Sequence, residues 1–354
     1  GAARLIEQMN GLGAPILAVD LPSGVDASTG EVAGAAVDAD LTVTFHGAKV
    51  GHYVTPGAYL AGYLEVVDIG LVAFETQHAR VTREILDRVP RRSPEGNKYK
   101  SGHVVVVGGS PGMTGAPCLS ASAAFRADAG YVMLAGPEPA VPTFERWVLE
   151  AVKHGLPADG AGLLTEAAAE PVLELVAKAG SLAVGPGLGR SQGTRACVRR
   201  LLAEAPLPTV VDGDALWELE PGDWPAPRVL TPHSGELSRL IDEDPKWVDA
   251  HRLEAARRAV DRFECVVLLK GDGSLIAAPG KGVLVDGGAP VLATAGTGDV
   301  LTGIVAAFLA KGLDARLATA AAATAHHWAA MESRYEAGLI ASDLLDTLPL
   351  VLAS

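Results

Sequence analysis

From His103 onward the chain alternates short β-branched apolar runs with alanine-rich stretches of helical length, and this alternation leaves few folds open. HVVVVGG leads into GAPCLSASAAFRADAG; YVMLAG, SLAVGPG, TVVDGDAL, RVLTP, VVLLKG and SLIAAP follow, and the series closes on the apolar run VLTGIVAAFLA. Strands that are apolar at every position are buried on both faces, which implies a parallel sheet covered by helices on two sides. Residues 1 to 72 read as helix, strand, loop, strand and hairpin, too little for a sizeable core of their own. VTREILDRVPRRSPEGNKYKSG, residues 81 to 102, is charged and broken by Pro90, Pro94 and Gly96, so it reads as a connection with one short helix. A boundary near residues 75 to 85 divides the 354 residues into a small part, 1 to 80, and a large one, 81 to 354.

A formal net charge of −13 disfavours nucleic acid and anionic membrane surfaces as partners. Cys118, Cys197 and Cys265 are far apart and odd in number, with no CxxC pair, which favours reduced thiols in a cytoplasm over disulfides or a zinc site. The longest apolar run, Val300 to Ala310, stops at Lys311, short of the roughly 20 residues a membrane helix needs. The opening GAARLIEQMNGLG does not begin with Met and has no basic segment or long apolar run, so it is not expected to be a signal peptide and reads as mid-helix.

Glycine-rich turns follow several of these strands, where parallel α/β sheets bind ligands. In AGTGDVLTG, Gly296 and Gly298 open the backbone, and the helix starting near Asp299 aims its free N–H groups at whatever sits above, an anion hole. A plain helix cap at Asp299 would look the same. HVVVVGGSPGMTGAP has neither the G-x-G-x-x-G order nor a GK[ST] ending, so dinucleotide and P-loop readings both fail. TPHSGE offers His233 and Glu236 three residues apart, for a metal-water network or substrate, or merely as a helix start. LLKGDGS sets Lys270 at a strand end, suited to a nucleotide, although a simple hairpin has the same pattern. AVDLPSGVD carries Asp20 and Ser23 in turn-like surroundings. The basic RRSPEGNKYKSG reads as a solvated loop or a phosphate contact, and His326 and His327 as helix packing.

Taken in order, NKYKSGHVVVVGGSPGMTGAP, VGPGLG, VDGDAL, TPHSGE, LLKGDGS and AGTGDVLTG resemble the nucleotide-dependent NAD(P)H-hydrate dehydratases, a branch of the ribokinase-like fold, over residues 85 to 350. The upstream AVDLPSGVDASTGEVAGAAVDADLTVTFHGAKVG is similar to the C-terminal part of an NAD(P)H-hydrate epimerase domain, Rossmann-like and partial here, since the N-N-G-G-D-G loop expected of it is missing. The resemblance implies a ribokinase-like parallel-sheet sandwich with helices on both faces, preceded by a partial Rossmann-like α/β domain. Gly213 stands where that family usually has alanine.

The activity implied is phosphorylation of the ring hydroxyl of NADHX or NADPHX by ADP or ATP with Mg²⁺, then loss of phosphate to restore NADH or NADPH. Asp299 is then the base, and Ala295, Gly296, Thr297 and Gly298 form the anion hole. Lys270, Gly271, Asp272, Gly273, Ser274 and Gly298 match nucleotide-binding positions; Ala116, Gly187, Gly189, His233 and Asp299 match hydrate contacts. Glu236 is expected to organise Mg²⁺ through water. Asp20 matches an epimerase substrate contact and Ser23 a potassium contact, and without upstream partners no epimerase activity is expected. The resemblance also implies a homo-oligomer. The alternatives are a ribokinase-like kinase for a vitamin precursor or sugar alcohol, and a nucleotide-binding scaffold without catalysis.

Overall fold

A computed structural model describes residues 1 to 72, 76 to 92 and 101 to 353. Most of the basic stretch 91 to 102, residues 93 to 100, therefore lies outside the described residues. The first part is a three-stranded sheet, β1 (Leu17–Val19), β2 (Leu41–Phe45) and β3 (Tyr63–Val67), preceded by helix α1 (Ala2–Asn10). The hairpin expected here is absent: β2 and β3 pair in parallel, because the 3₁₀ turn Val50–His52 and α2 (Gly57–Leu60) carry the chain back before it re-enters the sheet. Parallel neighbours need such a crossover.

The second part is a ten-stranded sheet among the described residues. Its strands are β4 (Ala79–Arg80), β5 (His103–Val107), β6 (Tyr131–Pro137), β7 (Val152–Leu156), β8 (Ser181–Val184), β9 (Thr209–Val211), β10 (Arg228–Leu230), β11 (Val266–Leu269), β12 (Leu275–Ala277) and β13 (Leu284–Val285). Their order is β4-β13-β12-β11-β10-β9-β8-β5-β6-β7. β5 to β11 are parallel throughout, while β12 runs antiparallel to β11 and β13, so the sheet is mostly rather than wholly parallel. β4 joins this sheet beside β13, so residues 79 and 80, drawn on the small side of the boundary, belong structurally to the large sheet.

The helices of this part are α3 (Gly115–Arg126), α4 (Val141–Trp147), α5 (Ala169–Val176), α6 (Gln192–Glu204), α7 (Ser234–Ile241), α8 (Pro245–Ala250), α9 (Arg252–Phe263), α10 (Thr297–Ala310), α11 (Ala315–Met331) and α12 (Leu344–Ala353). Strand β5 shows why they form two layers. All four of its valines are fully buried. Val104 and Val106 enter one core with residues of α3, α10, α11 and α12, and Val105 and Val107 enter a second core with residues of α5, α6, α7 and α9. Alternate side chains of a strand point to opposite faces, and each buried valine is worth roughly 1.5–3 kcal/mol, so neither layer can be removed cheaply.

Every residue of α10 from Val300 to Leu309 is buried, which explains a helix that is apolar all round. Its closest neighbour is α3, and the approach depends on Gly303: a Cβ there would lie 2.1 Å from the carbonyl oxygen of Ser120 and 2.9 Å from Cβ of Ala123. At the same contact the Ser120 hydroxyl donates to the carbonyl of Asp299 at 2.8 Å, fixing the helix start against α3. Gly303→Val must separate the two helices. We expect it to lower the unfolding free energy by about 3 kcal/mol, the upper end for overpacking, read as a lower urea midpoint at unchanged slope.

Candidate active site

Five neighbouring strands, β11, β10, β9, β8 and β5, end on one side of the sheet, and the residue that follows each is a candidate from the sequence or lies beside one. Lys270 follows β11, Thr231 precedes His233 after β10, Asp212 follows β9, Gly185 opens the turn to Gly187 and Gly189 after β8, and Gly108 follows β5. Parallel order thus gathers motifs separated by up to 160 residues along one edge.

Asp212, buried between these turns, is the hub. Its Oδ1 accepts from Thr231 Oγ1 at 2.8 Å and from Lys270 Nζ at 2.7 Å, and its Oδ2 accepts from Thr302 Oγ1 of α10 at 2.8 Å. Burial alone would push its carboxyl up, but Lys270 and the two hydroxyls outweigh it and hold the group below the usual aspartate range. For Lys270, burial opposes the charge, and Asp212 and Glu236 outweigh it, so the ammonium is held above its ordinary value. The sequence reading quoted VDGDAL but gave Asp212 no role; its signal was a carboxylate placed directly after a wholly apolar central strand.

Asp299 is the third residue of α10, and the cap position belongs to Gly296, whose φ of +90° favours glycine. The plain-cap alternative therefore does not describe this carboxylate, which has no hydrogen-bond partner among the described residues. Burial first, then the nearby charge of Asp212, pushes its carboxyl up to about 7, against the opposing pull of Lys270. The Lys270 ammonium approaches the same turn, 3.4 Å from where a Cβ on Gly298 would be. First-turn amides of a helix lack intrahelical acceptors and are open to an anion. Thr297 is the least available of the proposed hole: its N–H faces the carbonyl of Thr294 at 3.4 Å, and its hydroxyl serves the carbonyls of Leu292 and Thr294.

The loop Lys270–Ser274 joins antiparallel strands, so the hairpin pattern is present, and the loop also opens onto a cavity of about 200 Å³. Lys270, Gly271, Asp272 and Ser274 form one side, Thr297 and Gly298 another, and Asp286, His326 and His327 the back. Gly273 is turned away from this cavity. His326, read as helix packing, is buried there, and burial pushes its imidazole down to about 4. His327 Nδ1 lies 3.6 Å from Asp286 Oδ2. A cleft of about 800 Å³ near Trp224, Arg228, Arg262 and Lys281 lies at the opposite strand ends and takes no part in this cluster.

On the other side, Ala116 near the start of α3 packs beside Gly187, where a Cβ would lie 3.2 Å from its own and 2.3 Å from the Met113 carbonyl. The Gly189 amide donates to Asp214 Oδ2 at 3.0 Å. His233 caps α7: its Nδ1 accepts from the amides of Gly235 and Glu236, which leaves the proton on Nε2. Burial keeps the ring's affinity for a second proton below the ordinary value. Glu236 completes the capping box, its Oε2 accepting from the His233 amide at 2.9 Å and standing 3.9 Å from Lys270 Nζ.

Asp20 and Ser23 are not part of this cluster. Asp20 Oδ1 accepts from Lys49 Nζ at 2.6 Å and from Thr44 Oγ1 at 2.9 Å, and Lys49 holds its carboxyl below the usual range. Ser23 is exposed, and its carbonyl accepts from the Val37 amide.

A carboxyl raised to about 7 in the folded chain ionises near its ordinary value of 3.8 when unfolded. Between those values the unfolded chain binds fewer protons, so this group costs stability progressively as pH rises, and the cost levels off above about 7. Asp299→Asn is therefore expected to raise Tm, by more at pH 8 than at pH 5; an equal Tm at pH 8 would show that the carboxyl is not perturbed.

A family model described as NAD(P)H-hydrate dehydratase matches residues 104–350, and one described as YjeF-related protein N-terminus matches residues 1–51. The chain is 42% identical to the bifunctional NAD(P)H-hydrate repair enzyme Nnr of Moorella thermoacetica, over 99% of this chain and 69% of that protein. It is 34% identical to its Escherichia coli counterpart, over 98% and 67%. The Bacillus subtilis ADP/ATP-dependent NAD(P)H-hydrate dehydratase, co-crystallized with ATP/Mg²⁺, is similar with a TM-score of 0.67 and 26% identity, covering 77% of this chain and 97% of that one. A ribokinase-like superfamily protein of Enterococcus faecalis, at 22% identity over 80% of this chain and 98% of its own, shares the fold with a TM-score of 0.67. With the family model matching residues 104–350 and a curated relative aligned over 99% of this chain, the chain belongs to the NAD(P)H-hydrate dehydratase family.

Proposed function

We propose that this chain restores hydrated NADH and NADPH by nucleotide-dependent dehydration. The observation that carries the reading is the unpartnered Asp299 carboxylate on the first turn of α10, next to a cavity bounded by Lys270–Ser274. Hydroxide is a poor leaving group at neutral pH, and a phosphate ester leaves far more readily. Asp299 accepts the proton of the ring hydroxyl as its oxygen attacks the terminal phosphorus of ADP or ATP. The amides of Ala295, Gly296 and Gly298, with a smaller part for Thr297, stabilise the transferring group. The ring nitrogen's lone pair then expels phosphate, and loss of a proton from the adjacent carbon restores the dihydronicotinamide.

Lys270, Gly271, Asp272, Gly273, Ser274 and Gly298 bind the nucleotide in this proposal, and Ala116, Gly187, Gly189 and His233 contact the hydrate. The neutral His233 ring keeps its Nε2 proton as a donor. Among the described residues no three His, Cys, Asp or Glu side chains gather into a metal cage, and one oxygen of Glu236 is committed to its capping box. That donor set fits a magnesium ion carried by the nucleotide phosphates and reached by Glu236 through water. Magnesium, when bound, offsets phosphate charge.

For the small sheet, Asp20 is the proposed epimerase substrate contact and Ser23 the potassium contact, and both fall within the matched residues 1–51. With the Asp20 carboxylate already engaged by Lys49 and Thr44, we expect no acceleration of hydrate epimerisation, followed by chromatography of the two epimers.

Mixing the protein with NADHX and Mg²⁺ alongside ADP, ATP or no nucleotide is expected to return the reduced-nicotinamide absorbance only with nucleotide, one phosphate per NADH. The rate rises with pH through about 7 as Asp299 ionises, and Asp299→Asn lowers turnover by ~10²-fold or more. A stable phosphate ester as product would favour the kinase; nucleotide binding without turnover would favour the scaffold.

A further inference from the structure

Arg252, the first residue of α9, is 4% exposed and runs beneath the loop that follows β11. Its Nη2 donates to the carbonyl of Gly273 at 3.0 Å and reaches that of Leu269 at 3.4 Å. Its Nη1 fills the space a side chain on Gly271 would need, 2.7 Å from an ideal Cβ. Glycine at 271 is thus favoured by the guanidinium as well as by its own φ of +155°. The buried Nε has no partner, and no carboxylate lies within 4 Å of this arginine among the described residues. Asp249 and Asp272 act on it only from farther away. A buried charge answered only by carbonyls and by carboxylates farther away is costly to desolvate, so a fold that keeps one favours an anion on the other side of the loop.

We propose that Arg252 is a positioning residue for the nucleotide, holding the Lys270–Ser274 loop from behind and lending it a positive charge that favours a phosphorylated ligand. The inference rests on the nucleotide reading of that loop. It differs from the assigned contacts in that Arg252 faces the back of the loop and acts through the Gly273 and Leu269 carbonyls. Side chain and loop move together, because Gly271 and Gly273 lie at the two ends of the same contact. On its outer side the loop meets the first part of the chain, where a Cβ on Gly273 would be 3.4 Å from the Tyr53 carbonyl, and on the cavity side the Asp286 amide donates to the Ser274 carbonyl at 3.0 Å, so the arginine is one of three supports around the loop.

The test is equilibrium binding of ADP and of adenosine to the wild-type chain, Arg252→Met and Arg252→Lys, with melting curves to confirm folding and with kcat and KM for ADP in the NADHX assay. Arg252→Met is expected to weaken ADP at least tenfold and adenosine by a clearly smaller factor, with kcat at saturating ADP within threefold of wild type. Arg252→Lys keeps the charge but not the two-carbonyl grip, so it weakens ADP and adenosine by a similar factor of about three and raises KM accordingly. It carries the test if the methionine variant does not fold. ADP affinity within twofold of wild type in either folded variant, or equal losses of ADP and adenosine in Arg252→Met, would overturn the proposal. A wild-type chain that binds neither ADP nor ATP would overturn the nucleotide assignment of the loop itself, an outcome distinct from tight binding that ignores Arg252.

Discussion

The carboxylate of Asp212 is where the sheet, the Lys270–Ser274 loop and helix α10 are tied together. It takes Lys270 from the end of β11, Thr231 from the end of β10 and Thr302 from α10, and its own residue closes β9. A buried pair of this kind is weak evidence for stability, since desolvation offsets most of its Coulomb gain, yet removing one partner costs about 3–5 kcal/mol. Its value here is geometric. Three strand ends and a helix are held in one register, and Lys270 has a preferred partner that is not Asp299.

That second consequence governs the chemistry. An aspartate beside a free ammonium would be an ion pair with little appetite for a proton. With Lys270 drawn to Asp212, burial and the neighbouring negative charge dominate at Asp299, and its carboxyl moves up to about 7, suited to a base working near neutral pH. Thr302 lies one turn along α10 from Asp299, so the hydrogen bond that anchors the helix to Asp212 also sets the height of that carboxyl above the sheet. The Ser120 hydroxyl fixes the same turn from the α3 side.

Much of this was legible in the sequence. Uninterrupted apolar strands foretold the two helical layers, as the alternating burial of Val104 to Val107 bears out, and the glycine turns at strand ends pointed to the side of the sheet on which Asp212, Thr231 and Lys270 gather. Other features were not. Asp212 looked like any turn aspartate, because strand order, not spacing, brings Thr231, Lys270 and Thr302 to it. Arg252 drew no notice, since one-dimensional pattern does not reveal that the next hairpin folds over it. The small sheet was expected to contain a hairpin because its strands are short and separated by glycine and proline, whereas residues 46 to 62 return the chain for parallel pairing. The kinship of the large part to the dehydratases, read from six motifs, agrees with the family match over residues 104–350.

The central chemical claim is that the ring hydroxyl leaves as phosphate and not as water. Hydrate prepared with ¹⁸O in that hydroxyl, turned over with unlabelled ADP or ATP and Mg²⁺, separates the two routes by mass spectrometry of the inorganic phosphate released. Phosphorylation by the nucleotide followed by carbon–oxygen cleavage places one ¹⁸O atom in each phosphate formed. Label found in water, with unlabelled phosphate, would contradict the account and reduce the nucleotide to a bystander of a direct dehydration.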